Sequence, residues 1–171
     1  MIIRKIILLL KLLELKLSKV DISFSLHSNV SLTAEIKNKG YKLCIGKVYI
    51  RGNTSISTSE KGQLSIGDDC FFNRNCIVAC HKKITIGTGC IFGPNVCIYD
   101  HDHNHKQGVC EGYLCNEVII EDNCWIGAGV IILKGSHIRK NSIVAAGTVV
   151  RGEFEEGVLI YNNQDIKTKK L

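Results

Sequence analysis

Between residues 120 and 150 the chain keeps one strict rhythm. Ile120, Ile126, Ile132, Ile138, Val144 and Val150 are all aliphatic and stand six residues apart. The fifth position of each hexad is small or modest in size: Cys124, Val130, Ser136, Ser142, Thr148. Neither the helical period of 3.6 nor the strand period of 2 singles out every sixth residue. A coil with three flat sides, each about six residues long, does so. The aliphatic residue then points inward from a short strand on each side, and the small residue fits near the corner. The expected fold is all-β, a parallel solenoid with one continuous core.

Related phrases occur upstream: Leu43-Cys-Ile-Gly46, Leu64-Ser-Ile-Gly67 and Ile84-Thr-Ile-Gly87. Their glycines are 21 and 20 residues apart, close to one coil of about 18 with small turn insertions. The six-residue step holds again for Ile66, Phe72 and Val78, and for Ile86, Phe92 and Ile98. The glycine after the inward residue is read as the left-handed corner position. Asp68, Asn73, Asn75 and Asn95 suit corners for related reasons. Residues 21–40 read as an irregular capping coil and residues 157–161 as a last strand. The 171 residues predict one domain, a stack of about five coils.

The solenoid is assigned to residues 21–161, with a short amphipathic helix before it over residues 1–20 and a basic tail over residues 162–171. On a helical wheel Ile2, Ile6, Leu9, Leu13 and Leu17 share a face, with Lys5, Lys16 and Lys19 largely opposite. The longest uncharged run, residues 6–10, is too short to span a bilayer. Lys11 interrupts any signal-peptide core and no small-residue cleavage site follows. Two roles stay open for residues 1–17: packing on the solenoid end or between subunits, or lying on a membrane surface as a cationic helix.

Nine Cys, an odd number without CxxC spacing, argue for a reducing, cytoplasmic compartment and against a disulfide framework. Cys70, Cys76, Cys90 and Cys124 fall at the fifth hexad position, where they act as compact core filler. The formal charge of +6 favours anionic ligands or acidic lipids. No dense Lys/Arg stripe with interleaved aromatics suggests a nucleic-acid partner.

The hexads break between Ile98 and Ile120. Residues 99–117 read YDHDHNHKQGVCEGYLCNE, a polar His-rich loop expected to protrude from the side of the prism. Such an excursion from a regular solenoid is where function concentrates. Imidazole titrates near neutrality and suits a general base for a hydroxyl or amine proton. A neighbouring carboxylate, Asp100 being the candidate, or a backbone carbonyl would fix its tautomer. In an extended segment His101, His103 and His105 point the same way, so spacing does not choose among them. The bland alternative is a solvated loop that happens to be rich in His.

The hexads resemble those of hexapeptide-repeat proteins, which form a left-handed parallel β-helix. Within residues 95–104, NVCIYDHDHN resembles the active-site segment of the maltose and galactoside O-acetyltransferase type. Its DHDH form is similar to that of acyltransferases from capsule and surface-polysaccharide clusters. The resemblance covers roughly residues 43–150, and its catalytic His, aligned without gaps, falls on His103. It implies a homotrimer with active sites between adjacent prisms, acetyl-CoA as co-substrate, no metal and a sugar or glycan acceptor, the reaction being direct O-acetyl transfer. Positions matching the family's CoA contacts are Trp125 and Ala128 in CWIGAG and Ala146 in VAAGT. Arg139, Lys140, Arg151, Lys167 and Lys169 are candidates for the nucleotide phosphates. The chain departs from the family where a Gly-Asn-Pro-Ala turn is usual, since residues 162–165 read NNQD, and where Thr-Lys often ends the last coil, since Arg151-Gly152 stands there.

Other readings compete. An amino-sugar or antibiotic amine could replace the hydroxyl acceptor. A zinc hydratase similar to γ-class carbonic anhydrases would use His81, His101 and His105, although that family places its His on successive coils. A non-catalytic solenoid would bind ligands without chemistry. A nucleophilic Cys is not needed for direct transfer.

Overall fold

The computed structural model describes residues 21–106 and 109–163. The expected N-terminal helix, the loop tip and most of the basic tail, Lys167 and Lys169 included, lie outside the described residues. Among those described there is no helix, hence none long and apolar enough to cross a membrane. The strands stack into a three-sided parallel β-helix of seven, seven and six strands per face. The stack therefore has about seven coils rather than five. The additional coils come from residues 21–62, where the hexads are blurred by polar residues but the ladder pairing continues unbroken.

The fourth coil shows the plan. Lys83–Ile86 lies on the first face, Ile91–Phe92 on the second and Cys97–Tyr99 on the third. In-register pairing stacks like on like. Ile45, Ile66, Ile86, Ile120 and Ile138 form one inward column on the first face. Ile50, Phe72, Phe92, Ile126, Val144 and Ile160 form the second. Ile56, Val78, Ile98, Ile132 and Val150 form the third. Burial of these columns drives the fold, because each short strand alone has too little apolar area to hold its place.

The corners follow a division of labour that differs from the expectation. Left-handed corner positions include Asp69, Gly89 and Asn123, with Asn53, Asn75, Asn95 and Asn141 equivalent, at φ between 56° and 70°. Gly67 and Gly87, two residues before the first two of these, have ordinary φ and are required by crowding instead. A Cβ on Gly67 would stand 2.7 Å from the Gly87 carbonyl carbon in the next coil. The small fifth-position side chains bind across coils. Cys70, Cys90 and Cys124 donate Sγ–H to the carbonyls of Gly87, Glu121 and Arg139 at 3.0, 3.1 and 3.3 Å. Ser142 donates likewise to the Glu155 carbonyl at 3.2 Å. Cys80, which the hexad reading did not assign to the core, is buried as well.

The predicted loop is a β-hairpin. His101–Lys106 pairs antiparallel with Val109–Cys115. The ladder runs on underneath, Ile84 pairing with Val118 and Ile86 with Ile120. A segment leaving the prism loses the neighbouring coils as hydrogen-bond partners, and pairing with itself satisfies its backbone. The Asn116 N–H to Asp100 carbonyl bond, 2.9 Å, closes the neck.

Candidate active site

Asp100 roots the hairpin. Its side chain is fully buried. The carboxylate accepts the backbone N–H groups of His81 (2.8 Å), Lys82 (2.7 Å) and Lys83 (2.8 Å) from the corner of the preceding coil. His101 Nδ1 lies 3.0 Å from Oδ1. A buried carboxylate is tolerated only when its oxygens are so occupied. A carboxylate oxygen accepts, so the contact matches a proton on His101 Nδ1, which in the neutral ring leaves the lone pair on Nε2. Burial, followed by the charge of Asp100, pushes the neighbouring Cys80 thiol up to about 12. It is thereby kept protonated and unreactive.

The rings form one cluster. His81 stacks on His101 with centroids 3.8 Å apart, and Tyr113 from the returning strand stands 4.2 Å from His81, 5.1 Å from His101 and 5.0 Å from His103. A register shift between His103 and His105 breaks the alternation. Only His101 and His103 therefore keep the expected two-residue relation on one strand face. The side chain of His101 is 12% exposed, whereas His103 lies open to solvent. Desolvation, then the positive charges His101 and His103 can carry, lower the His81 pKa against the opposing pull of Asp100. The sequence did not single out Tyr113, and it named His81 beside His101 and His105 only as a candidate zinc ligand. The only signal for Tyr113 was its aromatic character within the excursion.

Asp102 faces two cations, Lys134 Nζ at 3.3 Å and Arg151 at 3.4 Å. Desolvation, the largest single influence, raises its carboxyl, but the two cations together outweigh it and hold the pKa below the usual value. Arg151, a candidate for phosphate binding, thus sits at the hairpin root. Arg139 and Lys140 engage Glu155 and Glu156 at 3.0 and 3.4 Å.

The other predicted residues meet in one place. A groove of about 430 Å³ runs along the second face and its corner with the third, and Trp125, Ala128 and Ala146 all line it, with Ile91, Pro94 and Ile143. Trp125 is 54% exposed. Small residues at Gly127–Ala128 and Ala145–Ala146 keep the trough open, while Trp125 and the isoleucines make it apolar. Such a channel suits a long, flexible, partly apolar ligand.

Residues 117–152 match the family model described as bacterial transferase hexapeptide (six repeats). Over these residues the chain carries the hexapeptide repeat of that family. The chain is 32% identical over 110 residues to galactoside O-acetyltransferase of Lactococcus lactis, a match covering 61% of this chain and 52% of the relative. It spans about half the length of the curated relatives it matches. Among solved structures, it is similar to a hexapeptide-repeat acetyltransferase of Vibrio cholerae in complex with acetyl coenzyme A, with TM-score 0.55 and 30% identity over 61% of this chain and 58% of that one. It is also similar to a maltose O-acetyltransferase of Clostridium difficile, with TM-score 0.52 and 26% identity over 79% of this chain and 65% of that one.

Proposed function

We propose that this hexapeptide-repeat protein transfers an acetyl group from acetyl-CoA to a sugar hydroxyl, in the synthesis of a surface polysaccharide at the cytoplasmic side of the membrane. The observation that carries the reading is the groove that collects Trp125, Ala128 and Ala146, which is shaped for the extended arm of CoA. His103, exposed on the hairpin, accepts the proton of the acceptor hydroxyl. The oxygen attacks the thioester carbonyl carbon, the C–S bond breaks as the tetrahedral intermediate collapses, and the leaving thiolate takes the proton from His103. No covalent enzyme intermediate is involved. The geometry favours a second assignment of the base, since the Asp100–His101 pair has the orienting carboxylate that a general base uses.

The working unit is proposed to be a homotrimer. In one chain the hairpin leaves from the corner after the third face, while the groove lies at the corner before it, so a whole face separates them. A second copy can bring its groove to this hairpin. The outward residues Ile77, Ile131 and Val149 on that face are apolar and part-exposed, as a subunit contact requires. Residues 1–17 are proposed to rest on the membrane surface.

The test is CoA binding followed by turnover on a sugar panel. Saturating CoA, about 100 times its dissociation constant, should stabilise the fold by about 2.7 kcal/mol. The absence of any thermal shift with CoA would refute the reading. His103→Ala should then cut turnover by about 10²–10⁴ with CoA binding intact. The same loss in His101→Ala alone would transfer the role of base to His101.

A further inference from the structure

The second face carries an outward aromatic step that the donor groove does not use. Tyr49 and Phe71 are paired in the ladder of the second and third coils, and their rings stack with centroids 5.4 Å apart and planes 22° apart. Below Tyr49 the register partner in the first coil is Asn29, whose side chain is too short to cover the ring. Tyr49 is therefore 42% exposed, and the aromatic column ends on an open ring. Two hollows flank that ring. One, of about 320 Å³, is lined by Asn29, Ser31, Tyr49, Arg51 and Arg74. The other, of about 290 Å³, is lined by His27, Asn29, Lys47, Tyr49 and Phe71.

The charges differ between the hollows. Lys47 is paired with Asp69 at 3.2 Å. Arg51 lies over the Phe71 ring, 5.5 Å from its centroid, and among the described residues neither Arg51 nor Arg74 has a carboxylate within ion-pair distance. Two uncompensated guanidiniums beside an open aromatic face match a ligand with a flat ring at one end and a multivalent anion next to it. Neither a neutral glycan nor free phosphate would use both features.

The position along the stack supplies the rest. The hairpin leaves after the fourth coil, and Trp125, Ala128 and Ala146 of the donor groove belong to the fifth and sixth. Arg51 and Arg74 follow the strands Val48–Ile50 and Cys70–Phe72 of the second and third coils, on the opposite side of the hairpin's level. Asn73, which lines the donor groove, immediately precedes Arg74 of the cationic hollow, so the hollow and the groove follow one another along the corner between the second and third faces. A donor entering from one end leaves the other end for the acceptor. Successive coils rise about 4.8 Å, so the span from Tyr49 to the hairpin's level, about 10 Å, accommodates a diphosphate and a sugar.

We infer that Tyr49, Arg51 and Arg74 form the acceptor subsite, and that the acceptor is a sugar carried on a nucleoside diphosphate. The base extends the Tyr49–Phe71 stack over Asn29, the diphosphate lies between the two guanidiniums, and the sugar reaches toward the His hairpin of a neighbouring copy. This assignment rests on the acetyl-transfer reading above and narrows its acceptor class.

The experiment is calorimetric binding of uridine and thymidine diphosphate to the full chain, with inorganic pyrophosphate as the ringless control and CoA as the donor control. Wild type should bind the nucleoside diphosphates at least about tenfold more tightly than pyrophosphate, the contribution of one stacked base. Arg51→Gln with Arg74→Gln should weaken them by tenfold or more, and Tyr49→Ala should do so while Tyr49→Phe does not. CoA affinity and subunit mass should stay at wild-type values in every variant. If CoA binds normally and neither nucleoside diphosphate binds, the subsite is refuted and acetyl transfer stands. If the Arg pair variant loses CoA affinity instead, these residues belong to the donor site and the inference fails. If the variants dissociate into smaller species, the patch is a subunit contact and the inference fails equally. Loss of CoA binding by wild type would overturn the underlying reading itself.

Discussion

Asp100 does two jobs with one carboxylate. It caps three backbone N–H groups of the preceding coil and orients His101. Asp100→Asn keeps the shape but turns an amide toward those donors. Leaving one buried N–H unsatisfied costs about 1–3 kcal/mol, so the melting temperature should fall and turnover with it, and a variant of wild-type stability would disprove the capping role. His81 gives the site a pH dependence with a definite sign. Its folded pKa lies below its ordinary 6.5, so the unfolded chain takes up the proton first as the medium is acidified. Stability should therefore fall as pH drops below about 6.5 toward the lowered folded value. Asp102 and Glu121, both lowered by cationic or imidazole partners, contribute stability above the ordinary carboxyl range that is lost only at more acidic pH, through their folded values. Between pH 5 and 8 the melting temperature should fall less steeply below about pH 6.5 in His81→Asn than in wild type, and parallel pH profiles would exclude His81 as the source.

Each strand of the prism is too short to be stable alone, and its residues divide sharply by direction. Ile126→Ala removes an inward side chain from a closed column and should cost about 2–5 kcal/mol. Gln63→Ala on the outward side of the first face should stay within about 0.5 kcal/mol. Chemical denaturation of the two variants separates inward from outward positions directly. The corners make a comparable prediction through their thiols. Cys70, Cys76, Cys80, Cys90 and Cys124 are buried, while Cys44, Cys97 and Cys115 are part-exposed. Under native conditions an alkylating reagent should modify the second group and spare the first, whose thiols should react only on unfolding. Rapid native labelling of Cys90 would contradict the closed corner. The hairpin is the one excursion from this regularity among the described residues, and its neck bond lets it leave without breaking the ladder below.

Viewed along its axis, the molecule places the Trp125 groove and the His hairpin on opposite edges of the third face. If catalysis uses a neighbour's groove, two inactive variants should rescue each other. His103→Ala lacks the base, and Ala128→Trp fills the exposed corner of the groove. Co-assembled trimers containing both should regain activity, because some interfaces pair an intact hairpin with an intact groove. A mixed preparation as inactive as its parents would place the whole site within one chain.

The parallel solenoid was legible in the residues alone, because a six-residue aliphatic step leaves a three-sided coil as the natural way to bury every marked side chain at once. The His excursion was legible for the complementary reason: it is where the step fails. The number of coils was not, since the pairing of residues 21–62 depends on register with coils already formed rather than on their own hexads. The corner glycines were misread because a sequence does not distinguish a left-handed φ from the close approach of the next coil's backbone. The link from Asp100 to residues 81–83 and the joining of Tyr49, Phe71, Arg51 and Arg74 into one patch also required the tertiary structure. Residues about 20 apart become neighbours only through the stacking of coils, and no local pattern in the chain encodes which side chains that stacking brings face to face.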